Sequence, residues 1–502
     1  MNFLDSMDSR QRKLTYAVGM LILFAPIYVL GRPSEGKPGT GGQLAQMRDE
    51  YQLGEATLGE VDPASSTMNL VLLGMRGVAT NYLWMEAEEL KKTKNWSQLE
   101  SVVNSITLLQ PHFRTVWEYQ AWNLGFNVSA EFDAVEDRYY WVKRGMKYIM
   151  RGTRINQQVP EMFFYTGEFA GHKMGRSDEK DKFRVFFRDK DPDEEKYKGG
   201  VDEDINPPVD NDGNQLKPYE RDNYMVARRW FKEANKLVEK GFEQHRMDLP
   251  LFIAYPHRSL MEFASARQDE GVFDEIVHKS WEQGYREWVS EYGITPIPTT
   301  IAGKIILEGQ EEILRQFIAE ELPTWPNMTL EIKKAWVNRY QDTCGYRFWR
   351  SRCLVESRDD LLEARKELFQ GKKEYRDNQN MQLTAKLMSS GLKKLGDVLL
   401  DPQYLDLNKP IGAEETKKDE PRESRVARDD NDLSELAFKS IIIWQAALDN
   451  LGEKLPEDFP LKKELWDSEK FKTQKEDLLH KFELWQGSSS GDTNKADGKS
   501  PQ

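Results

Sequence analysis

Apolar residues in this chain recur at helical spacing, and proline and glycine cut the recurrence into short segments. No other feature constrains the fold as much. Residues three and four apart share one face of an α-helix, whereas a half-buried strand needs strict alternation. Few stretches of this sequence alternate. From Ser66 the helices are readable one by one. Val71, Met75, Val78, Tyr82 and Met85 make one apolar stripe, and Leu83, Ala87 and Leu90 make its neighbour. Residues 91–95 are a polar turn. Leu99, Val102, Val103, Ile106 and Leu109 then mark a second helix, which Pro111 ends because proline lacks the N–H a helix interior requires. Two such helices joined by a short turn make an antiparallel hairpin. A second hairpin is expected over 116–127 and 137–151, with its turn near Asp133, and Pro160 closes it. A further helix starts at Met162 and runs to Lys173.

The same reading continues to the C-terminus. Helices are expected over 224–241, 251–267, 273–292, 311–321, 330–356, 359–375, 381–400, 433–451 and 461–485. Pro296 and Pro298 make 295–300 an extended connection. Residues 178–222 hold 15 acidic against nine basic side chains, with Gly199-Gly200, Pro207-Pro208 and Asp212-Gly213 as helix breakers. An exposed acidic insertion is expected over 177–222. Residues 410–432 are charged and nearly free of large apolar side chains, so they read as a flexible linker. Residues 487–502 (GSSSGDTNKADGKSPQ) read as a disordered tail. The expected class is all-α: an irregular solenoid of helical hairpins over 66–322, further hairpins over 323–409, and C-terminal helices over 433–486.

The first hairpins have a phase of their own. Leu83, Ala87 and Leu90 in one helix, Leu99, Val103 and Ile106 in the next, and Pro111 after it are followed by Trp117, Ala121 and Leu124. This pattern resembles the tetratricopeptide repeat, whose period is about 34 residues and which needs a small residue where helix backbones approach. The resemblance covers about 90 residues. It is then lost, because Pro111 and Pro160 lie 49 residues apart. The runs LGMRGVATNYLWMEAEEL and LQPHFRTVWEYQAWNLGFNVS are also similar to uncharacterised membrane-anchored helical-repeat proteins of bacteria. That resemblance implies an anchor plus a helical array, and it implies no reaction.

The anchor has its own signal. Residues 14–30 (LTYAVGMLILFAPIYVL) run for 17 positions without a charge. As a helix they span roughly 26 Å, near the lower limit for crossing a bilayer. Arg10, Arg12 and Lys13 precede them, and Tyr16 and Tyr28 sit near the ends, where amphipathic rings favour the interface. Pro26 is compatible with a lipid-buried helix. The expectation is a single-pass transmembrane helix within 1–31, a tether over 32–65, and a body on the non-cytoplasmic, periplasm-like side. A cleaved signal peptide is the alternative, although an A-x-A site is absent.

Composition excludes several classes. Fourteen Trp, 19 Tyr and 23 Phe exclude a mainly disordered chain. Two Cys exclude a disulfide scaffold and any Cys-rich metal module. A net charge of −13 argues against a nucleic-acid partner. None of the six His belongs to an H-E-x-x-H motif or a Cys/His quartet, so no metal ligand is assigned. The GSSSG letters at 487–491 lack the strand and helix of a nucleophile elbow. The DNDGN run at 210–214 fails as a calcium loop, because Gly213 at position six places Pro208 at the first ligand position. No cofactor is implied, and no enzymatic role is expected.

One cluster is denser than core packing requires: Trp117, Trp122, Asn123, Asn127, Arg138, Trp141, Arg144 and Arg154. Asn123 and Asn127 lie one helical turn apart and share a face. Such amides can clamp a peptide backbone, and arginine grips carboxylates through two parallel bonds. Aromatic and arginine side chains also dominate interface hot spots. These eight residues are candidate contacts for a protein partner. The competing reading makes the tryptophans core and the Asn and Arg side chains stitches between helices. Tyr346, Phe348, Trp349, Arg350, Arg352 and Cys353 carry the same two readings. The expected function is a membrane-anchored helical-repeat scaffold that binds a protein, with assembly of an envelope or secretion complex as a natural context. An all-α small-ligand binder or enzyme, and a self-associating structural protein, are the alternatives.

Overall fold

A computed structural model describes residues 76–401 apart from 211 and 245–247, residues 431–491, and a few isolated positions before residue 48. Among these the chain is helical, with one two-stranded antiparallel hairpin. Among the described residues no helix is long and apolar enough to cross a membrane. The expected anchor at 14–30 lies outside them except for isolated positions, as do the tether and nearly all of the 410–432 linker.

The described residues fall into two compact units. The first comprises Met1–Phe169, Asp178–Pro207 and Glu233–Glu243; the second comprises Ala170–Ser177, Pro208–Lys232 and Gln244–Gln502.

In the first unit, α1 (Arg76–Lys92), α2 (Trp96–Leu109), α3 (Arg114–Trp122), α4 (Val135–Ile155) and α5 (Pro160–Glu168) each pack on the next in sequence. The residues responsible are those of the apolar period: Ala87, Leu99, Val103, Ile106, Trp117 and Ala121 are buried. Asn95 caps α2 by accepting from the Gln98 amide, and Pro160 opens α5 at the position where a missing N–H costs nothing. The α3 and α4 backbones nearly touch. A Cβ at Gly145 would meet the Ala121 carbonyl oxygen at 2.7 Å. Beyond Trp122 the helix widens into a π turn over Asn123–Val128.

The acidic segment departs from the expectation of an exposed insertion. Its helix α6 (Lys180–Arg188) buries Phe183 and Phe187, and the Phe183 ring lies 5.6 Å from that of Tyr139 on α4. Asp191 and Asp202 are buried as well. Lys143 Nζ lies 2.6 Å from Asp191 Oδ2, and Lys147 Nζ lies 2.8 Å from Asp202 and 2.6 Å from Asp204. Part of the charge that reads as solvation in sequence is here paired, with Asp191, Asp202 and Asp204 sharing two lysines on α4.

The second unit holds the start of α7 (Asn223–Glu239), then α8 (Leu249–Asp269), α9 (Glu275–Glu287) and the hairpin β1 (Ile297–Pro298) and β2 (Lys304–Ile305). Helices α10 (Glu311–Glu321), α11 (Leu330–Thr343), α12 (Tyr346–Glu356), α13 (Asp359–Lys373) and α14 (Met381–Leu399) follow. The last two are α15 (Asn431–Leu451) and α16 (Lys472–Gly491), which carries the helix into the expected tail. The expected single helix at 330–356 is two helices. Gly345 between them has φ +62°, a left-handed conformation that ends α11. Buried Lys333 donates to the Ala302 and Lys304 carbonyls at 2.9 and 2.7 Å and pairs with Glu321 at 2.6 Å, which fixes the hairpin. One core gathers around Trp281, Trp288, Tyr292 and Tyr346, and another around Leu392, Leu395, Ile441 and Trp444.

Candidate functional site

The site is built on α4. Arg144, Lys147, Arg151 and Arg154 follow one another at spacings of three, four and three, so they share one helix face. Opposite them stand Glu100 and Asn104 of α2, and the open cleft between them measures about 380 Å³. Tyr148 and Met150 add apolar lining, and Asp204 closes one side.

The cations are not equivalent. Arg144 Nη2 lies 2.6 Å from Glu100 Oε1, and Lys147 is held by Asp202 and Asp204. Those two charges are neutralised. Arg151 donates to a neutral group, the Asn104 amide oxygen, at 3.2 Å. Its guanidinium lies over the rings of Trp117 and Tyr148, 5.3 and 4.9 Å from their centres. Among the described residues no carboxylate pairs with Arg151 or Arg154. Burial pushes the Tyr148 phenol up to about 12, so it stays neutral. Two exposed guanidiniums therefore face the cleft without a counter-charge, on a helix anchored by the core.

Three of the eight sequence candidates meet here. Arg144 and Arg154 line the cleft, and Trp117 lies beneath Arg151. Trp117 is buried, and its indole N–H donates to the Pro111 carbonyl at 2.8 Å. Trp141 sits beside them, stacked on Phe132 at 5.8 Å with the Arg144 guanidinium 5.3 Å away. The rest are elsewhere. Trp122 is 40% exposed and stacks on Phe126. Asn123 is buried and accepts from the Asn127 amide at 2.9 Å, so the two amides bond each other. Arg138 donates to the Phe132 carbonyl at 2.6 Å and pairs with Glu179. Sequence reasoning missed Lys147, Arg151, Glu100 and Asn104. The three-four-three spacing of cations was the available signal.

A second surface lies on α1. Val78, Tyr82 and Met85 are 61, 68 and 72% exposed, on the side opposite buried Ala87. They continue the stripe that begins with Val71 and Met75, which lie outside the described residues.

In the second unit, the other sequence patch is committed internally. The guanidiniums of Arg258 and Arg352 lie 5.2 and 5.8 Å from the centre of the Trp349 ring. Glu308 takes Arg350 at 2.9 Å and the Tyr346 hydroxyl at 2.5 Å, and Cys353 is buried. Phe348 packs edge-on to Trp349. His257, Glu287 and Glu291 bring possible metal-ligand atoms within 4.8 Å of one another. Arg228, however, donates to both Glu287 oxygens at 2.8 and 2.9 Å, and a cation would have to displace it. The arrangement is a buried ion-pair network.

Comparison with family models, with curated proteins and with solved structures returns no match.

Proposed function

We propose that this chain is a membrane-tethered helical-repeat scaffold that holds a protein partner at the open face of α1. The observation that carries the reading is the exposed stripe of Val78, Tyr82 and Met85. Here the first described helix of a sequentially packed series presents three large apolar side chains in register. Contiguous exposed apolar surface of this kind marks an association site. The tetratricopeptide-like phase of the first hairpins supports the repeat character. The uncharged run at 14–30, with its basic flank, supports the tether and a body on the non-cytoplasmic side. No reaction enters this reading.

A photo-cross-linking amino acid at position 82 of the full chain, irradiated in native membranes, tests it. The expected result is one discrete heavier adduct that Met85→Glu abolishes. No adduct, or a diffuse set insensitive to Met85→Glu, would overturn the reading. An adduct of twice the chain's own mass would make the partner a second copy and replace scaffold by self-association.

A further inference from the structure

We infer that the cleft between α2 and α4 binds a phosphate monoester in its dianionic form, with Arg151 and Arg154 as the charged contacts. The inference uses none of the α1 stripe and stands apart from the protein-partner reading.

Charge selects the class. Of the four cations on this face, Arg144 and Lys147 are already bound to Glu100 and to Asp202 and Asp204. Arg151 and Arg154 have no carboxylate among the described residues. They sit three positions apart on α4, about 4.5 Å along its axis. A monoanion would compensate one of them, and a dianion compensates both. A tetrahedral phosphoryl group presents three acceptor oxygens, which two planar guanidinium forks can grip bidentately.

The surroundings supply donors where an anion needs them. Asn104 gives its amide oxygen to Arg151, which leaves its N–H₂ group to donate into the cleft. The Arg151 fork is held in place by Asn104 on one side and the Trp117 and Tyr148 rings on the other. A fork fixed before binding loses less freedom when the anion arrives. Glu100 is compensated by Arg144, whereas Asp204, at the edge of the cleft, shares Lys147 with Asp202. The cleft's 380 Å³ is at the small end of the range for small-molecule sites, about 300–1,000 Å³. Tyr148 and Met150 offer apolar surface for an organic body esterified to the phosphate.

The phosphate can come from a soluble metabolite or from a lipid headgroup, and the experiment separates the two. Full-length protein in mild detergent is titrated by calorimetry with glycerol 3-phosphate and with succinate, at constant ionic strength. Vesicles of phosphatidylcholine with and without phosphatidic acid form a second arm. The proposal expects saturable binding of glycerol 3-phosphate, weakened about tenfold or more by Arg151→Gln and by Arg154→Gln, since each removes a charge-assisted bond. Binding should also weaken about tenfold between pH 7.5 and pH 5, because the second phosphate pKa is about 6. Arg154 is exposed, so Arg154→Gln should leave the thermal unfolding curve in place. Binding confined to phosphatidic acid vesicles, with the same loss in both variants, assigns the phosphate to a lipid. No binding in either arm, equal binding of succinate, or binding indifferent to both variants overturns the proposal.

Discussion

The guanidinium of Arg151 lies over the indole of Trp117, 5.3 Å from its centre, and so joins the cleft to the core. The indole is fixed from below. Its N–H donates to the Pro111 carbonyl, which also accepts from the Asn156 amide at 3.0 Å. The proline that ends the α2 segment in sequence thus locates the side chain that supports the cleft. Trp117→Ala removes a fully buried aromatic ring and is expected to destabilise the chain by about 3–5 kcal/mol in urea unfolding. A loss below about 1 kcal/mol would mean the ring is not part of the core.

Lys143 and Asp191 form a second such joint, between α4 and the acidic segment. Both are buried, and their charged atoms lie 2.6 Å apart. A buried pair adds little net stability, but removing one partner leaves the other charge under-compensated; Lys143 would keep only Asp202, 3.5 Å away. Asp191→Ala leaves Lys143 with Asp202 alone and should therefore cost about 2–4 kcal/mol, below the about 3–5 kcal/mol of a fully stranded charge, and Lys143→Met combined with Asp191→Leu should recover part of it. Equilibrium unfolding of the three variants measures both steps. If the double variant is no more stable than Asp191→Ala, the loss comes from packing and not from the under-compensated lysine.

These joints mark where the sequence stops being informative. The helices of the first unit follow from spacing alone: Leu99, Val103 and Ile106 are buried where the period places them, and Pro160 opens α5. The acidic segment misleads because the local sequence shows its charge without the partners that pair with it. Lys143 lies 48 positions from Asp191, and no local pattern links them. The cleft was half legible. Arg144 and Arg154 stand out beside aromatic residues, whereas Lys147 and Arg151 look like the ordinary polar side of an amphipathic helix. Which cation lacks a counter-charge depends on where Glu100 and Asp204 fall, and that is a property of tertiary packing. Asn123 and Asn127 show the converse. Their four-residue spacing does place them together, but burial turns the pair toward each other. The break at Gly345 was missed because the apolar period runs through it.

His172 sets a pH dependence that none of these contacts would suggest. Burial, then the nearby Arg176 and Arg258 charges, lower its imidazole from the ordinary 6.5 to about 3. The folded chain thus holds His172 neutral, while the unfolded chain takes up a proton below 6.5. Stability is fully present above that pH and declines as pH falls toward 3, because protons bind preferentially to the unfolded state. At 1.36 kcal/mol per pH unit, the loss between pH 6.5 and 4.5 amounts to about 2 kcal/mol. His172→Gln should flatten the stability curve over that interval in urea unfolding at stepped pH. Below 4.5 the variant should still lose stability. Burial alone would raise the Glu287 carboxyl, but His257, Arg228 and Gln283 hold it well below its ordinary 4.5. A carboxylate so depressed stabilises the fold above that value and withdraws its contribution as pH falls through it. If His172→Gln instead follows the wild-type curve from pH 6.5 to 4.5, the imidazole protonates within the folded chain, and its pocket must open to water.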